Sequence, residues 1–459
     1  MLKKIFRRKK DESNKKRWIL IAIYLATFMT AVETTIVITA ANAIANSFGR
    51  EIPIALLFSS YLFSSALSTP VFSRLANQYG KKPIFIIGLL LFMTGTFLCG
   101  ISQSFFILVF FRMVQGIGAG GIVPITFSLI GNLFDYESRG RIMGLNNSAW
   151  GIASLAAPLL GGLLVENFSW HWVFFINIPV GLITILILLL FYDEEKRPSV
   201  SFSYQELGQY LFLITVLFLL LVGIQIIPDH FILGGGVFLF GILVSFILLS
   251  YENKVKEPVL PVETLRSSDF LLFNLVTFLM NGAMMGFQVY LPLWMQTQLS
   301  LSPSPGGLAL LPSSIFFITG SMIAVPLGKH FGTKRLLTFC MGVNGLVFLI
   351  LGFLPQMTPY FVFLILASFS GFGTGTTVTT SVLSAQALAT EKNISTVSGF
   401  ITLCRNLGQS FMITFFGIVF QLFGKSTFSI DGYQGVFFSA LFVVLLSTLM
   451  VLLKKDSQE

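Results

Sequence analysis

The chain of 459 residues is 54% hydrophobic and only 11% charged, with a formal net charge of +9 and a mean hydropathy of +0.84. Soluble domains carry about 25% charged residues, and a soluble surface grows with size and must be wetted. The composition therefore excludes a soluble enzyme, a secreted disulfide scaffold and a disordered protein, and reads as a polytopic integral membrane protein.

Fourteen apolar runs are predicted as spanning helices over 18–44, 53–73, 83–101, 105–131, 142–165, 172–192, 206–224, 231–251, 270–294, 306–328, 335–354, 359–385, 397–423 and 433–453. Each is near the length of about 20 residues that crosses a hydrocarbon core of roughly 30 Å. The runs are continuously apolar rather than alternating, which excludes a β-barrel. The fold class is all-α integral membrane. Its predicted organisation is a basic cytoplasmic tail 1–17, a six-helix bundle 18–192, an inserted helix pair with flanking cytoplasmic loops 193–269, a second six-helix bundle 270–453 and a short cytoplasmic tail 454–459. The first 17 residues hold nine Lys or Arg, and the run that follows is too long for a signal-peptide core, so it is expected to remain as a signal anchor.

With the N-terminus inside, 25 of the 29 Lys and Arg face the cytoplasm, Arg50 and Lys425 face outward, and Arg112 and Arg405 lie within the membrane. That asymmetry is the positive-inside pattern. It places both termini in the cytoplasm of a multi-pass cell-membrane protein, and it means that the basic balance reports topology rather than nucleic-acid binding. The cysteines Cys99, Cys340 and Cys404 and the histidines His171, His230 and His330 are scattered without paired spacing, so neither a disulfide framework nor a metal site is indicated.

The two halves of the chain correspond. An offset of 255 places Gly116, Gly118 and Gly120 on Gly371, Gly373 and Gly375, and also Gly144 on Gly399 and Gly162 on Gly417. An offset of 252 places the basic turn Leu75 to Lys82 on Leu327 to Lys334. Small residues at matching places let helices pack closely, and the shared basic turn in the same order points to a duplicated six-helix bundle. The run Gly116-x-Gly118-x-x-Gly121 matches a dinucleotide fingerprint on paper. That motif needs a preceding strand and a following acid, whereas this one lies inside a long apolar helix, so it reads as a helix-contact surface.

Several segments carry a resemblance. Leu108-x-x-x-Arg112-x-x-Gln115-Gly116-x-Gly118-Ala119 resembles the fourth-helix motif of the major facilitator superfamily, and Ser73-Arg-Leu-Ala-Asn77-Gln-Tyr-Gly80-Lys81-Lys82 resembles the signature of its loop between the second and third helices. Gly151 with Ala157-Pro158-x-x-Gly161-Gly162 resembles the fifth-helix antiporter motif. Trp170-His-Trp172-Val-Phe-Phe-Ile-Asn177-Ile-Pro179-Val-Gly181 and Glu33-Thr-Thr35 are similar to segments of the superfamily's fourteen-span drug:proton antiporters. The resemblance covers essentially the whole chain and implies the major facilitator fold, two six-helix bundles plus two additional helices. The departures are Asn77 for the loop aspartate, Ser73 for its first glycine, Ala157 for the glycine before proline, Glu33 for the usual aspartate and Asn42 for that motif's closing proline. With Asn77 in place of an acid, the loop's charge contact must be weaker or replaced.

Glu33 stands out from its position alone, as the one acid deep in a predicted span. An unpaired, lipid-facing carboxylate costs several kcal/mol at that depth. By the helix rise, Glu33 lies about 22 Å from the inner surface and Arg112 about 10 Å below the outer one. In a core of roughly 30 Å both sit in the outer half, where they can pair. Two readings stay open for the pair, proton coupling and a structural salt bridge. Candidate substrate contacts are Glu33, Gln115, Asn146, Trp150, Asn281, Met284, Gln288 and Arg405; Asn147 and Met285 sit beside them. Methionine suits a promiscuous surface, although Met at helical spacing equally fits an ordinary core. Arg405 fits either bonds to carbonyls or attraction of an anionic substrate or headgroup. Pro158, Gly161 and Gly162 are expected to kink or thin the fifth helix.

The resemblance implies proton-coupled efflux of hydrophobic or amphipathic, cationic compounds by alternating access. The alternative is a flippase for lipids or lipid-linked precursors on the same fold. A sensor or scaffold lacks a soluble domain to support it, and an enzyme lacks an acid, His or Cys cluster at membrane depth. The expected partners are small hydrophobic substrates, protons and membrane lipids, with no nucleic acid and no cofactor beyond the proton gradient, and the chain is expected to work as a monomer.

Overall fold

The computed structural model describes residues 2–49, 52–134, 136–194, 204–227, 230–255, 258–355, 358–389, 394–424 and 431–454, and among them every regular element is a helix. Thirteen segments of these residues are long and apolar enough to cross a membrane. The remaining predicted run, 142–165, lies in a 32-residue helix, several of whose side chains fall outside the described residues.

One compact unit takes in Met1–Arg50 and Ser64–Phe202. It contains α1 (Leu2–Phe48), most of α2 (Ala55–Tyr79), α3 (Lys81–Gly100), α4 (Phe105–Leu133), α5 (Tyr136–Asn167), α6 (Trp172–Phe175) and α7 (Asn177–Phe191). α1 runs for 47 residues, so the basic tail is a continuation of the first spanning helix. The physical reason is that Leu2–Phe48 contains neither Gly nor Pro, and Lys and Arg are good helix formers. The helix stops at Gly49, whose φ of 105° suits a residue without a Cβ. The basic side chains Lys3 to Lys10 lie outside the described residues. The sixth predicted helix is divided into α6 and α7. Pro179 has no N–H for the Phe175 carbonyl four residues back and crowds it, which explains the interruption.

The other unit takes in Glu51–Phe63 and Ser203–Glu459. It contains the start of α2, then α8 (Tyr204–Ile226), α9 (Phe231–Glu252), α10 (Val262–Leu265), α11 (Ser268–Gln298), α12 (Pro303–Leu308), α13 (Leu311–Phe331), α14 (Thr333–Phe353), α15 (Tyr360–Ala387), α16 (Ile394–Gly424) and α17 (Gly432–Leu453). The tenth predicted helix starts early as α12 and restarts at α13, with Pro312 in the first turn of the second piece. α17 begins with a capping box, in which Asp431 accepts from the Gln434 N–H and the Gln434 side chain accepts from the Asp431 N–H.

The glycines explain how closely the helices approach. A Cβ at Gly118 would strike the Phe92 backbone of α3, and one at Gly120 would strike Ser65 of α2. In the second unit, a Cβ at Gly373 would strike Cys340 and Asn344 of α14, and one at Gly375 would strike Phe317 of α13. Equivalent glycines therefore seat α4 and α15 against equivalent neighbours, at the 255-residue offset. These contacts fit the helix-contact reading of the Gly-x-Gly run.

Gly118→Val and Gly375→Val should each lower stability by about 1–3 kcal/mol, the usual range for overpacking. Gly342→Ala on α14, where nothing lies within 4 Å, should not. Thermal unfolding of the three purified variants checks this.

Candidate functional site

Threonines are frequent around Glu33, but they satisfy themselves locally. Thr30, Thr34, Thr35 and Thr39 each donate to a carbonyl three or four residues earlier on α1. The Glu33 carboxylate has no such option and is met by other helices. Arg112 Nη1 on α4 donates to Glu33 Oε1 at 2.5 Å, and Asn177 Nδ2 at the start of α7 donates to Glu33 Oε2 at 2.6 Å. Arg112 and Gln115 stand three residues apart on one face of α4, and Arg112 Nη1 also donates to Gln115 Oε1 at 2.7 Å. Gln115 Nε2 then donates to Thr96 Oγ1 on α3 at 2.7 Å, and Thr96 Oγ1 donates to the Phe92 carbonyl at 2.7 Å. The approach of α3 to α4 depends on Gly95, where a Cβ would strike the Gln115 backbone.

Both charges are withdrawn from solvent, with Glu33 0% and Arg112 1% exposed. The Phe174 ring lies 6.0 Å from the guanidinium carbon and adds an attractive face. Trp170 Nε1 donates to Ser47 Oγ at 3.0 Å, which ties the far end of α1 to the segment entering α6. The site is thus a carboxylate and a guanidinium, each with amide partners, enclosed by α1, α3, α4 and α7. The sequence singled out Glu33, Arg112 and Gln115. It missed Thr96, which is ordinary in type, and quoted Asn177 only within a motif.

The other predicted residues lie elsewhere. Asn146 on α5 accepts from Thr27 Oγ1 at 2.8 Å, six residues or about 9 Å along α1 from Glu33 by the helix rise. Trp150 is half-buried nearby on α5, and the Asn147 side chain lies outside the described residues. Ala157, Pro158, Gly161 and Gly162 are buried, and a Cβ at Gly161 would strike Thr39 and Ile36, so this stretch seats α5 on α1. In the second unit, Asn281 Nδ2 donates to its own helix at the Thr277 carbonyl, 2.8 Å away. Met284 and Met285 are buried, and Gln288 and Arg405 are half-buried. Met284 Sδ lies 4.0 Å from Ser370 Oγ, in a node where Asn344 Oδ1 accepts from Ser370 at 3.2 Å and Thr374 at 3.1 Å. Asn344, Ser370 and Thr374 were not anticipated, because neutral polar residues in an apolar run carry no charge signal.

The basic turn between α2 and α3 meets a carboxylate that the loop signature lacks. The Asn77 side chain lies outside the described residues. Gly80 has a φ of 101°, a conformation that favours glycine, and the Glu194 carboxylate lies where a Cβ would project. Glu194 accepts the backbone N–H groups of Lys81 and Lys82, the first turn of α3, where a helix favours an anion. Lys82 Nζ donates to the Leu189 and Tyr192 carbonyls at 3.3 and 2.5 Å, at the α7 C-terminus, where a helix favours a cation. Lys81 Nζ donates to the Ser128 carbonyl of α4 at 2.8 Å. Beside it, Lys15 bonds Asp193 at 2.6 Å, and that hydrogen bond and charge hold the Asp193 carboxyl below the usual range.

A helical bundle with a buried ion pair across its helices is the architecture of a multi-pass membrane transporter. The family model of the Major Facilitator Superfamily matches residues 23–413 and 273–459, and the chain belongs to that superfamily. Multidrug efflux pump SdrM of Staphylococcus aureus (strain N315) is 30% identical over 410 residues, covering 88% of this chain and 89% of its own. Multidrug resistance protein 3 of Bacillus subtilis (strain 168) is 29% identical over 410 residues, covering 88% of this chain and 79% of its own. A D-xylose-proton symporter and a bacterial homolog of the human lysosomal transporter Spinster share the fold, with TM-scores of 0.67 and 0.68 at 14% and 15% identity, each covering 95% of this chain and 96% of its own.

Removing one partner of a buried pair strands a charge, which costs about 3–5 kcal/mol, whereas replacing both by apolar groups is often neutral. Arg112→Leu should therefore be less stable than the double variant Arg112→Leu with Glu33→Leu. Unfolding of both proteins in the same detergent measures the order.

Proposed function

We propose that this protein exports hydrophobic and amphipathic compounds, cations among them, in exchange for protons by alternating access, as a member of the fourteen-span drug:proton antiporter group. The ion pair carries the reading. Deprotonated Glu33 is matched by Arg112, and it can accept a proton only as that match is loosened. Gln115 already accepts from Arg112 and keeps the guanidinium hydrogen-bonded while Glu33 is neutral. In the cycle, Glu33 takes a proton from the outer side as substrate leaves and releases it inward as the next substrate binds, while the two bundles rock about the binding region. A proton crossing the full field gains about 2.3 kcal/mol per 100 mV, enough for more than tenfold accumulation. The names of the matched relatives support the substrate class.

Everted vesicles given a lipophilic cationic dye such as ethidium in the medium, together with a neutral hydrophobic substrate, test the reading. Glu33→Gln should insert normally yet abolish substrate-dependent proton movement, and Glu33→Asp should keep part of it. Uphill export of the neutral substrate by Glu33→Gln with an unchanged pH profile would place coupling elsewhere.

The proposed orientation puts both termini in the cytoplasm of the cell membrane. A cysteine introduced by Lys455→Cys should react with an impermeant maleimide only in everted vesicles. Reaction only in right-side-out vesicles would require an odd number of spans.

A further inference from the structure

We propose that Asn177 is a positioning residue that keeps Glu33 hydrogen-bonded in both protonation states, offering its amide N–H to the carboxylate and its amide oxygen to the carboxylic acid. The inference rests on the reading of Glu33 as the proton carrier.

The geometry assigns the two carboxylate oxygens different tasks. Oε1 is taken by Arg112 Nη1 at 2.5 Å, and Oε2 faces Asn177 Nδ2 at 2.6 Å. A proton arriving from the aqueous side bonds to Oε2, the oxygen without the cation. That oxygen then carries an O–H, and a second N–H pointed at it becomes a donor facing a donor. A guanidinium has only donors and cannot accept the new O–H. Gln115 is less free to exchange its two ends, because its oxygen accepts from Arg112 and its nitrogen donates to Thr96, and turning the amide over would break both bonds. Asn177 holds both functions on one planar group, and a half-turn about its last side-chain torsion exchanges them. That torsion is broad and roughly two-fold. On proton release the amide turns back, so Glu33 Oε2 keeps a partner in either state.

The surroundings suit this task. Asn177 is 2% exposed. It opens α7 directly after the helix interruption, with Pro179 two residues on. The ionisable groups facing Glu33 are Arg112 on α4 and the Cys99 thiol on α3. α6, α7 and the stretch 142–165 of α5 contain none. The proton-state partner is therefore a neutral amide, which does not compete for the proton it helps to hold.

Infrared difference spectroscopy of the purified protein in lipid, titrated with protons alone, tests this without any substrate. The carboxylic-acid carbonyl band of Glu33 is the one that Glu33→Gln removes. In Asn177→Leu, which has the size of asparagine and no hydrogen-bonding atom, that band should move to higher wavenumber, and the amide signal that accompanies protonation should be lost. Asn177→Ser, whose hydroxyl both donates and accepts, should return the band partway, and it carries the comparison if the leucine variant does not fold. A Glu33 band at its original position in both variants overturns the role of Asn177 and leaves Glu33 as the carrier. The absence of any pH-responsive band removed by Glu33→Gln overturns the reading of Glu33 itself.

Discussion

A charge taken out of water must be matched where it lies, and this one requirement organises the first unit. Glu33 is 0% and Arg112 1% exposed, so neither recovers its hydration, and a real protein charges several kcal/mol for each such ion. Attraction between the two offsets this only if the remaining donors and acceptors are also used. Asn177, Gln115 and Thr96 supply those bonds from three different helices. The packing of α1, α3, α4 and α7 is thereby tied to one carboxylate. An apolar interior would hold the same helices together without specifying which residues face one another.

Close helix contact is the second condition, because side chains as short as Thr96 reach their partners only when backbones nearly touch. Gly95 and Gly118 set the α3–α4 approach, and Gly161 sets that of α5 on α1. The second unit repeats the glycine arrangement but not the charges. Its node on Asn344, Ser370 and Thr374 is neutral, with the asparagine oxygen accepting two hydroxyls. The same close packing therefore recurs in both units, while the buried Glu33–Arg112 pair belongs to the first.

What the sequence shows follows the strength of each physical signal. Fourteen long apolar runs and three intramembrane charges are large signals, and they lead directly to a helical membrane fold and to Glu33 with Arg112. Resemblance in α4 adds Gln115. Thr96 and Asn344 are silent, since a threonine in a helix more often bonds its own backbone, as Thr30 and Thr39 do here. Glu194 was hidden for another reason. Asn77 drew attention to a missing acid within the turn, while the carboxylate that meets the turn comes more than a hundred residues later, from the acidic run after α7. The helix boundaries that differed, at α6–α7 and α12–α13, both lie next to a proline within an apolar run, where hydropathy carries no information about backbone hydrogen bonds.

α7 joins the two polar sites of the first unit. Its first residue, Asn177, bonds Glu33, and its last carbonyls hold Lys82 while Glu194, three residues past its end, caps α3. α3 spans the same two places in the other sense, with Lys81 and Lys82 in its first turn and Thr96 four turns on. A helix transmits axial displacement because its hydrogen bonds run along its axis. A shift of α7 long enough to separate Asn177 from Glu33 must therefore also move the carbonyls that hold Lys82. The bond to Glu33 and the grip on the basic turn are consequently held by the two ends of one helix, and the interruption between α6 and α7 lies directly before its first residue.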